Sequence, residues 1–412
     1  MRRMQYCARS IQRRGFTLAE LMVSLTGALF ISIAMFSIAK HTSALYQREA
    51  RVSTANMTAV IGFERLRADL SRAGFMASPN IQRDPRVCGS PSTDPGWPQQ
   101  LSTLASVRIE DIPTSQLPGV IAANSLAPQR ITLGGNFSSS EAFSARAITE
   151  EGGNYVVHLQ VQSGAMSRLG YSDAGADRAA LLESVFPIGR ALRIVDKAGR
   201  HHYGSITQLT AGDEPAITLV RDAPAVRFRS NSSIGCGIKG AGTGALVNTV
   251  NFIRYTLRNL SDEARYAPVY EGAGPAYDDT RIELVREELD VQGTVIADST
   301  ELVAEYAVDL RFRLTVAASP SAPLTYITQA AVSNWAGDPS TLPAGQGPQL
   351  VRSVHTWLSI RSREADRQGN TAVADGPVYR INLDTGTSNT FARVRTIQAR
   401  VALHNQTGIT WR

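Results

Sequence analysis

The residue with the clearest chemical consequence is Glu20. It is the single charge between Phe16 and Ala39, a run that is otherwise apolar or small. A carboxylate carried into hydrocarbon costs about 2.5–3.5 kcal/mol on insertion scales, so its presence asks for a partner of opposite charge. Other groups that could do chemistry are sparser. Of three cysteines, Cys7 lies among the N-terminal arginines, and Cys88 and Cys236 lie in the body. If the body is in an oxidising compartment, that pair reads as a disulfide, with two free thiols as the alternative. Such a bridge would close a loop of roughly 150 residues and be worth about 5 kcal/mol in the chain-entropy account. Gly235-Cys236-Gly237-Ile238-Lys239-Gly240 fits G-x-G-x-x-G, but the Gly/Ala-rich and then strand-like sequence after it does not suit a dinucleotide site, and a loop is expected. The six histidines form no zinc spacing, and His201-His202 is expected at the surface beside a hairpin. Asp278-Asp279 and Asp173/Asp177 fall short of a calcium loop. Glu287-Glu288 reads as a solvated strand end. No G-x-S-x-G elbow or phosphate-binding GxxxxGK[ST] loop occurs. The expectation is a non-enzyme with no cofactor and no metal.

Charge narrows the ligands. The chain of 412 residues has a net charge of +6. Arg2, Arg3, Arg9, Arg13 and Arg14 precede any acid, so residues 1–15 take five of those charges and the rest is close to neutral. Nucleic acid is therefore not expected as the main partner, although a local basic patch remains open. With 43% hydrophobic and 19% charged residues the chain can bury a core.

The elements that hold these groups follow from periodicity. Residues 16–39, all but uncharged, would rise about 36 Å as a helix, enough to cross a bilayer. No proline occurs from Phe16 to Ala77. Leu45, Val52, Ala55, Ala59, Phe63, Leu66 and Leu70 recur at helical steps, so residues 40–75 read as an amphipathic continuation ending near Gly74. Gly27 and Gly62 are possible weak points. Residues 76–128, rich in Pro, Ser and Gly, are expected to be irregular surface structure. Strand patterns then dominate: Arg130–Leu133, Tyr155–Val161, Ala191–Val195, Ala216–Val220, Val226–Phe228, Val250–Leu257, Arg281–Glu287, Glu301–Val316, Val351–Ile360 and Phe391–Leu403. Asp196-Lys197-Ala198-Gly199 suits a hairpin turn. The class expected is α+β, with antiparallel sheets.

Gly15-Phe16-Thr17-Leu18-Ala19-Glu20-Leu21-Met22-Val23, behind a basic leader and ahead of a long apolar run, resembles the processing signal of type IV prepilins and pseudopilins. The resemblance implies cleavage between Gly15 and Phe16 by a prepilin peptidase, N-methylation of Phe16, and an assembly role for Glu20, flanked by Thr17 and Leu18. Glu20 would meet the N-terminal ammonium of a neighbouring subunit. The implied fold is pilin-like, a long N-terminal helix on an enlarged antiparallel β head. Ser37 stands where major pilins usually carry a kinking proline. Asp69–Phe75, Ile282–Glu288, Val303–Phe312, Val351–Arg363 and Ala399–Asn405 resemble the corresponding parts of PilW-type minor pilins. The organisation implied is a leader (1–15), a membrane or filament-core helix (16–39), its amphipathic continuation (40–75), an insertion-rich β region (76–250) and a PilW-like sheet region (251–412).

The function implied is that of a minor pilin priming pilus assembly at the filament tip. Its partners would be other minor pilins, the major pilin, the prepilin peptidase, the inner-membrane assembly platform and a tip adhesin. It would sit in the inner membrane as a single-pass protein and then in the surface pilus. The alternatives are a minor pseudopilin of a type II secretion system and a non-pilin, signal-anchored periplasmic protein.

Overall fold

The computed structural model describes residues 17–89, 91, 96–220, 238, 243–261, 263–268, 281–317, 319, 322–363, 367–369, 378–381, 389–409 and 411. The leader, Gly15, Phe16, Cys7, Val226–Phe228, Cys236 and Asp278-Asp279 lie outside the described residues. Contacts divide the chain into two units, 1–54 and 55–412. Helix α1 (Leu18–Arg72) runs through both. It stops where glycine permits: Gly74 takes φ +75°, and its N–H donates to Gly134 O at 2.8 Å, so a left-handed residue ends the helix.

In the second unit the strands are antiparallel throughout. The first six to be paired are β3 (Phe143–Glu151), β4 (Asn154–Leu159), β5 (Ala191–Val195), β6 (His201–Thr210), β7 (Ala216–Leu219) and β8 (Leu246–Arg258). They bond in the ring β8–β3–β4–β7–β6–β5 and back to β8. This is a closed six-stranded barrel, which leaves no edge. Its interior is filled by Phe143, Val157, Ile194, Ile217 and Val247, with Leu182 and Phe186 from the connection before β5 closing it. A barrel of this size is a packed core rather than a pore.

The second half of β8 leaves the barrel and enters an open sheet. There it pairs with β2 (Gln129–Gly135) and β9 (Glu283–Leu289), flanked by β1 (Val107–Asp111) and β10 (Glu301–Ala304). A third sheet runs β12 (Thr325–Ile327), β11 (Ala307–Val316), β13 (Val351–Arg361), β16 (Asn389–Ala402), with β14 (Arg367–Gly369) and β15 (Val378–Arg380) against β16. One core joins the open sheets and the helix. It contains Ala59, Phe63, Leu66 and Leu70 of α1, Ile131, Ile253 and Leu284 of one sheet, and Phe312, Val354 and Val401 of the other. The helical stripe read from the sequence is buried over these four positions. Gly62 is a packing residue: a Cβ there would lie 2.5 Å from Val303 O, so only glycine lets the helix approach β10 this closely.

A polar group pins that interface. Asp69 sits on the buried face of α1, and its Oδ2 accepts from Tyr255 Oη and from Arg286 Nε, both at 2.8 Å. Tyr255 and Arg286 are cross-strand partners on β8 and β9, so both point to one face. Burial and the Asp69 charge push the Tyr255 hydroxyl well above its usual pKa. Burial opposes the charge of Arg286, but Asp69 outweighs it and holds the guanidinium above its ordinary value.

Four expectations are corrected. His201 and His202 are buried, not exposed, because the first half of the barrel strand β6, residues 201–206, is covered on both faces. Residues 76–128 are not surface coil: Ile81, Leu101 and Leu104 pack with Tyr203 and Phe252, and β1 falls within the segment. Glu287 and Glu288 are no solvated strand end. Glu287 is fully buried against Arg254 (2.6 Å) and Arg258 (3.3 Å), and Glu288 meets Arg190 at 2.7 Å. The run Glu301–Val316 breaks at Glu305-Tyr306, where Tyr306 takes φ +55° and the chain passes from one sheet to the other.

His201 has a defined protonation demand. Arg193 Nη2 lies 2.8 Å from its Nε2, and because arginine can only donate, that nitrogen accepts and the ring is neutral. Asp84 lies 3.7 Å from Nδ1. Burial pulls the His201 pKa below its usual value despite Asp84, and burial does the same to His202 despite Asp196.

Two outcomes are expected. Replacing Asp69 by Ala leaves Arg286 without its buried partner and should lower unfolding free energy by about 3–5 kcal/mol in chemical denaturation of the full chain. For the histidines the folded pKa lies below the unfolded one, so their contribution is complete above about pH 6.5 and is lost as pH falls below it. Thermal melts between pH 7.5 and 5 should show a falling Tm, and His201→Asn should make the fall smaller.

Candidate assembly site

Among the described residues the N-terminal unit, taken by itself, is helix from Leu18 onward. From Leu18 to Ser43 it is long and apolar enough to cross a membrane, and no residue of its most apolar stretch is buried by the rest of the chain. Leu18 is 79% exposed, Phe30 74% and Phe36 73%. Twenty-six residues rise about 39 Å, against a hydrocarbon thickness of about 30 Å. Two hydroxyls inside the stretch bond back to their own helix. Ser24 Oγ donates to Leu21 O at 2.9 Å, and Thr26 Oγ1 lies 3.0 Å from Met22 O and 2.9 Å from Val23 O. Hydroxyls bonded in this way cost little in hydrocarbon. Lys40 and His41 stand near the far end of the stretch, where a basic side chain can reach an interface.

Thr17 and Glu20 form a capping box. The Thr17 N–H and its hydroxyl both donate to Glu20 Oε2 at 3.0 Å, and the Glu20 N–H donates to Thr17 Oγ1 at 3.3 Å. Two of the donors left over at a helix start are thereby met. The sequence carries the signal for this box as T-x-x-E at Thr17–Glu20, ahead of an apolar run. The box orients the carboxylate but does not neutralise it. Among the described residues no cation faces Glu20. What the arrangement can do is hold one negative charge at a fixed place on an otherwise apolar, uncovered helix.

The predicted site residues divide as follows. Thr17, Leu18 and Glu20 are brought together in the first turn of α1. Gly15 and Phe16, on which processing would act, lie outside the described residues. Cys88 is disulfide-bonded. Its N–H donates to His201 O at 2.8 Å, so the bridge is anchored beside the barrel strand β6. The remaining cysteines, Cys7 and Cys236, lie outside the described residues, as does the G-x-G-x-x-G segment apart from Ile238, which is buried in the barrel core.

Fold and site together define an α+β protein with large antiparallel sheets and one N-terminal apolar helix suited to membrane insertion or signal anchoring. Comparison with protein-family models, with curated proteins and with solved structures returns no match.

The cysteine reading has a direct check. Peptide mapping without reductant should return a Cys88–Cys236 linked peptide; a free Cys236 thiol in the oxidised chain would refute the pairing.

Proposed function

We propose that the chain is a minor type IV pilin resembling the PilW type. The observation that carries the reading is the uncovered apolar helix with a single capped but unneutralised carboxylate at Glu20. Such a helix is unfavourable in water and complete only among other apolar helices or lipid. Glu20 is complete only when a cation reaches it. An N-methylated Phe16 ammonium from a neighbouring subunit, produced by cleavage after Gly15, supplies that cation at the same depth. The mechanism is assembly: helices pack along the filament core, the Glu20 charge selects the axial step, and the sheets of the head interlock outside. The large head suits a tip subunit better than one repeated along a filament. The partners are the major pilin, other minor pilins, the prepilin peptidase and the inner-membrane assembly platform, with a tip adhesin bound by the head. The protein waits in the inner membrane and is then displayed on the surface pilus. A minor pseudopilin of a type II secretion system shares the N-terminal physics and differs in the partners of the head.

The deciding experiment is quantitative mass spectrometry of sheared surface filaments. A trace ratio to the major subunit, with a terminal peptide beginning at N-methyl-Phe16, is the expected result. In the Glu20→Ala strain the chain should still be found in the membrane but fall out of the filament by about tenfold or more, the loss expected when a buried charge pair is removed. A chain intact from Met1 and absent from filaments would sink the reading.

A further inference from the structure

The sheet β12–β11–β13–β16 turns Leu310, Phe312, Val354 and Leu358 to the core. Its opposite face has another composition. Arg313 lies opposite His355, and His355 opposite Arg400, so these three form one row across three strands. Trp357 follows two residues after His355, with Gln398 opposite it, and Tyr326 on β12 faces Thr315. These side chains hold one another. The Arg313 guanidinium stands 4.7 Å from the centre of the Trp357 ring and 5.9 Å from that of Tyr326, and its Nη1 donates to Tyr326 Oη at 3.1 Å. His355 lies nearly parallel to Trp357, 15° apart with centroids separated by 6.2 Å, and meets Tyr326 edge-on at 5.4 Å. Thr315 Oγ1 fixes its Nε2 at 3.2 Å. Arg313, Gln398 and Arg400 are exposed, Tyr326 is 47% exposed, and Trp357 and His355 are half-buried.

The charge of this face is positive and local. Asp309 is its acid, and Arg311 holds it at 2.6 Å. Glu64 of the helix lines a groove with Arg400 but pairs with Arg67 at 3.3 Å. Among the described residues Arg313 and Arg400 have no carboxylate partner. Burial, then the charges of Arg400 and Arg313, hold the His355 pKa below its usual range, which is how a ring between two cations behaves.

We propose that this face binds single-stranded nucleic acid, with bases stacked on Trp357, His355 and Tyr326 and phosphates held by Arg313 and Arg400. Aromatic residues on an open sheet face are a general solution for splayed bases, and stacking tolerates any sequence because every base has a π-face. Residues i and i+2 of a strand lie about 6.6 Å apart, close to the 6.2 Å between the His355 and Trp357 rings, so the two rings form one aromatic surface. The platform spans four strands, about 14 Å, enough for about two or three nucleotides. A duplex hides its base faces, and an acidic glycan matches the cations without offering flat π surfaces. The near-neutral body of the chain offers no wider basic surface, so the footprint is small: two phosphate contacts give a salt slope of only about −1.4.

The test uses the full chain in detergent micelles and fluorescence anisotropy with a labelled oligothymidylate of about 20 nucleotides, long enough to cover the platform. The competitors are a duplex of equal length, inorganic polyphosphate and a uronic-acid oligosaccharide. Saturable binding of the single strand, at least about tenfold tighter than any competitor, is expected. Trp357→Ala should weaken it about tenfold, the loss of one stack. Arg400→Gln, at an exposed position, should reduce the salt slope by about 0.7. Three results would each overturn the proposal: no saturable binding; equal binding of duplex or polyphosphate that ignores Trp357→Ala; or preference for the oligosaccharide. If Trp357→Ala fails to fold, the salt slope of Arg400→Gln decides alone.

Discussion

A carboxylate on the buried face of a helix leaves few arrangements open to everything around it. Asp69 must be met by donors that reach into an apolar interface, and it is met by one hydroxyl and one guanidinium from adjacent strands. That requirement fixes the register of β8 against β9, because a slip of one residue would turn Tyr255 or Arg286 away. It also fixes the rotation of the helix, and with it which residues of the stripe meet the sheets. Phe63, Leu66 and Leu70 supply most of the favourable energy through burial. The ion pair adds less net energy than they do, but it excludes alternatives that apolar packing alone would tolerate.

The same strand binds the two halves of the head. The first residues of β8 close the barrel and the later ones form the centre of the open sheet. Neither substructure is complete without it. The boundary at 250/251, which the resemblance to PilW-type pilins implies, falls inside this strand. The charged residues along the sheet follow from this crowding. Glu287 is fully buried and Glu288 partly so, so each needs an arginine, and Arg254, Arg258 and Arg190 provide them. The row is a product of tertiary cover, which local sequence does not encode.

Much of the architecture was legible in periodicity. The helix, its apolar stripe at Ala59, Phe63, Leu66 and Leu70, its stop at Gly74 and most strands follow from spacing and turn residues alone. What the sequence hid was cover. His201-His202 look like surface residues beside a turn, because nothing local shows that β6 lies in a barrel with Ile81 and Trp97 packed outside it. The barrel was invisible for a similar reason: its closure is a pairing of β8 with β3 and β5, strands far apart in sequence. Glu20 was legible because hydrophobic sequence around a lone acid is a local signal. The aromatic and cationic cluster around Trp357 was not, since Arg313, Tyr326 and Arg400 come from three different strands and meet only through register.

The separation between Asp69 and its partners has a consequence for biogenesis. Tyr255 follows it by 186 residues and Arg286 by 217. As the chain emerges from the ribosome at about 5–20 residues per second, the amphipathic stripe of α1 exists for roughly ten seconds or more before either partner is made. During that interval Phe63, Leu66 and Leu70 are a sticky surface with nothing native to cover them. The nascent protein is thus most vulnerable to aggregation early, when its N-terminal third is out and its organising strand is not. The exposed stripe is the very face that Asp69 later locks shut.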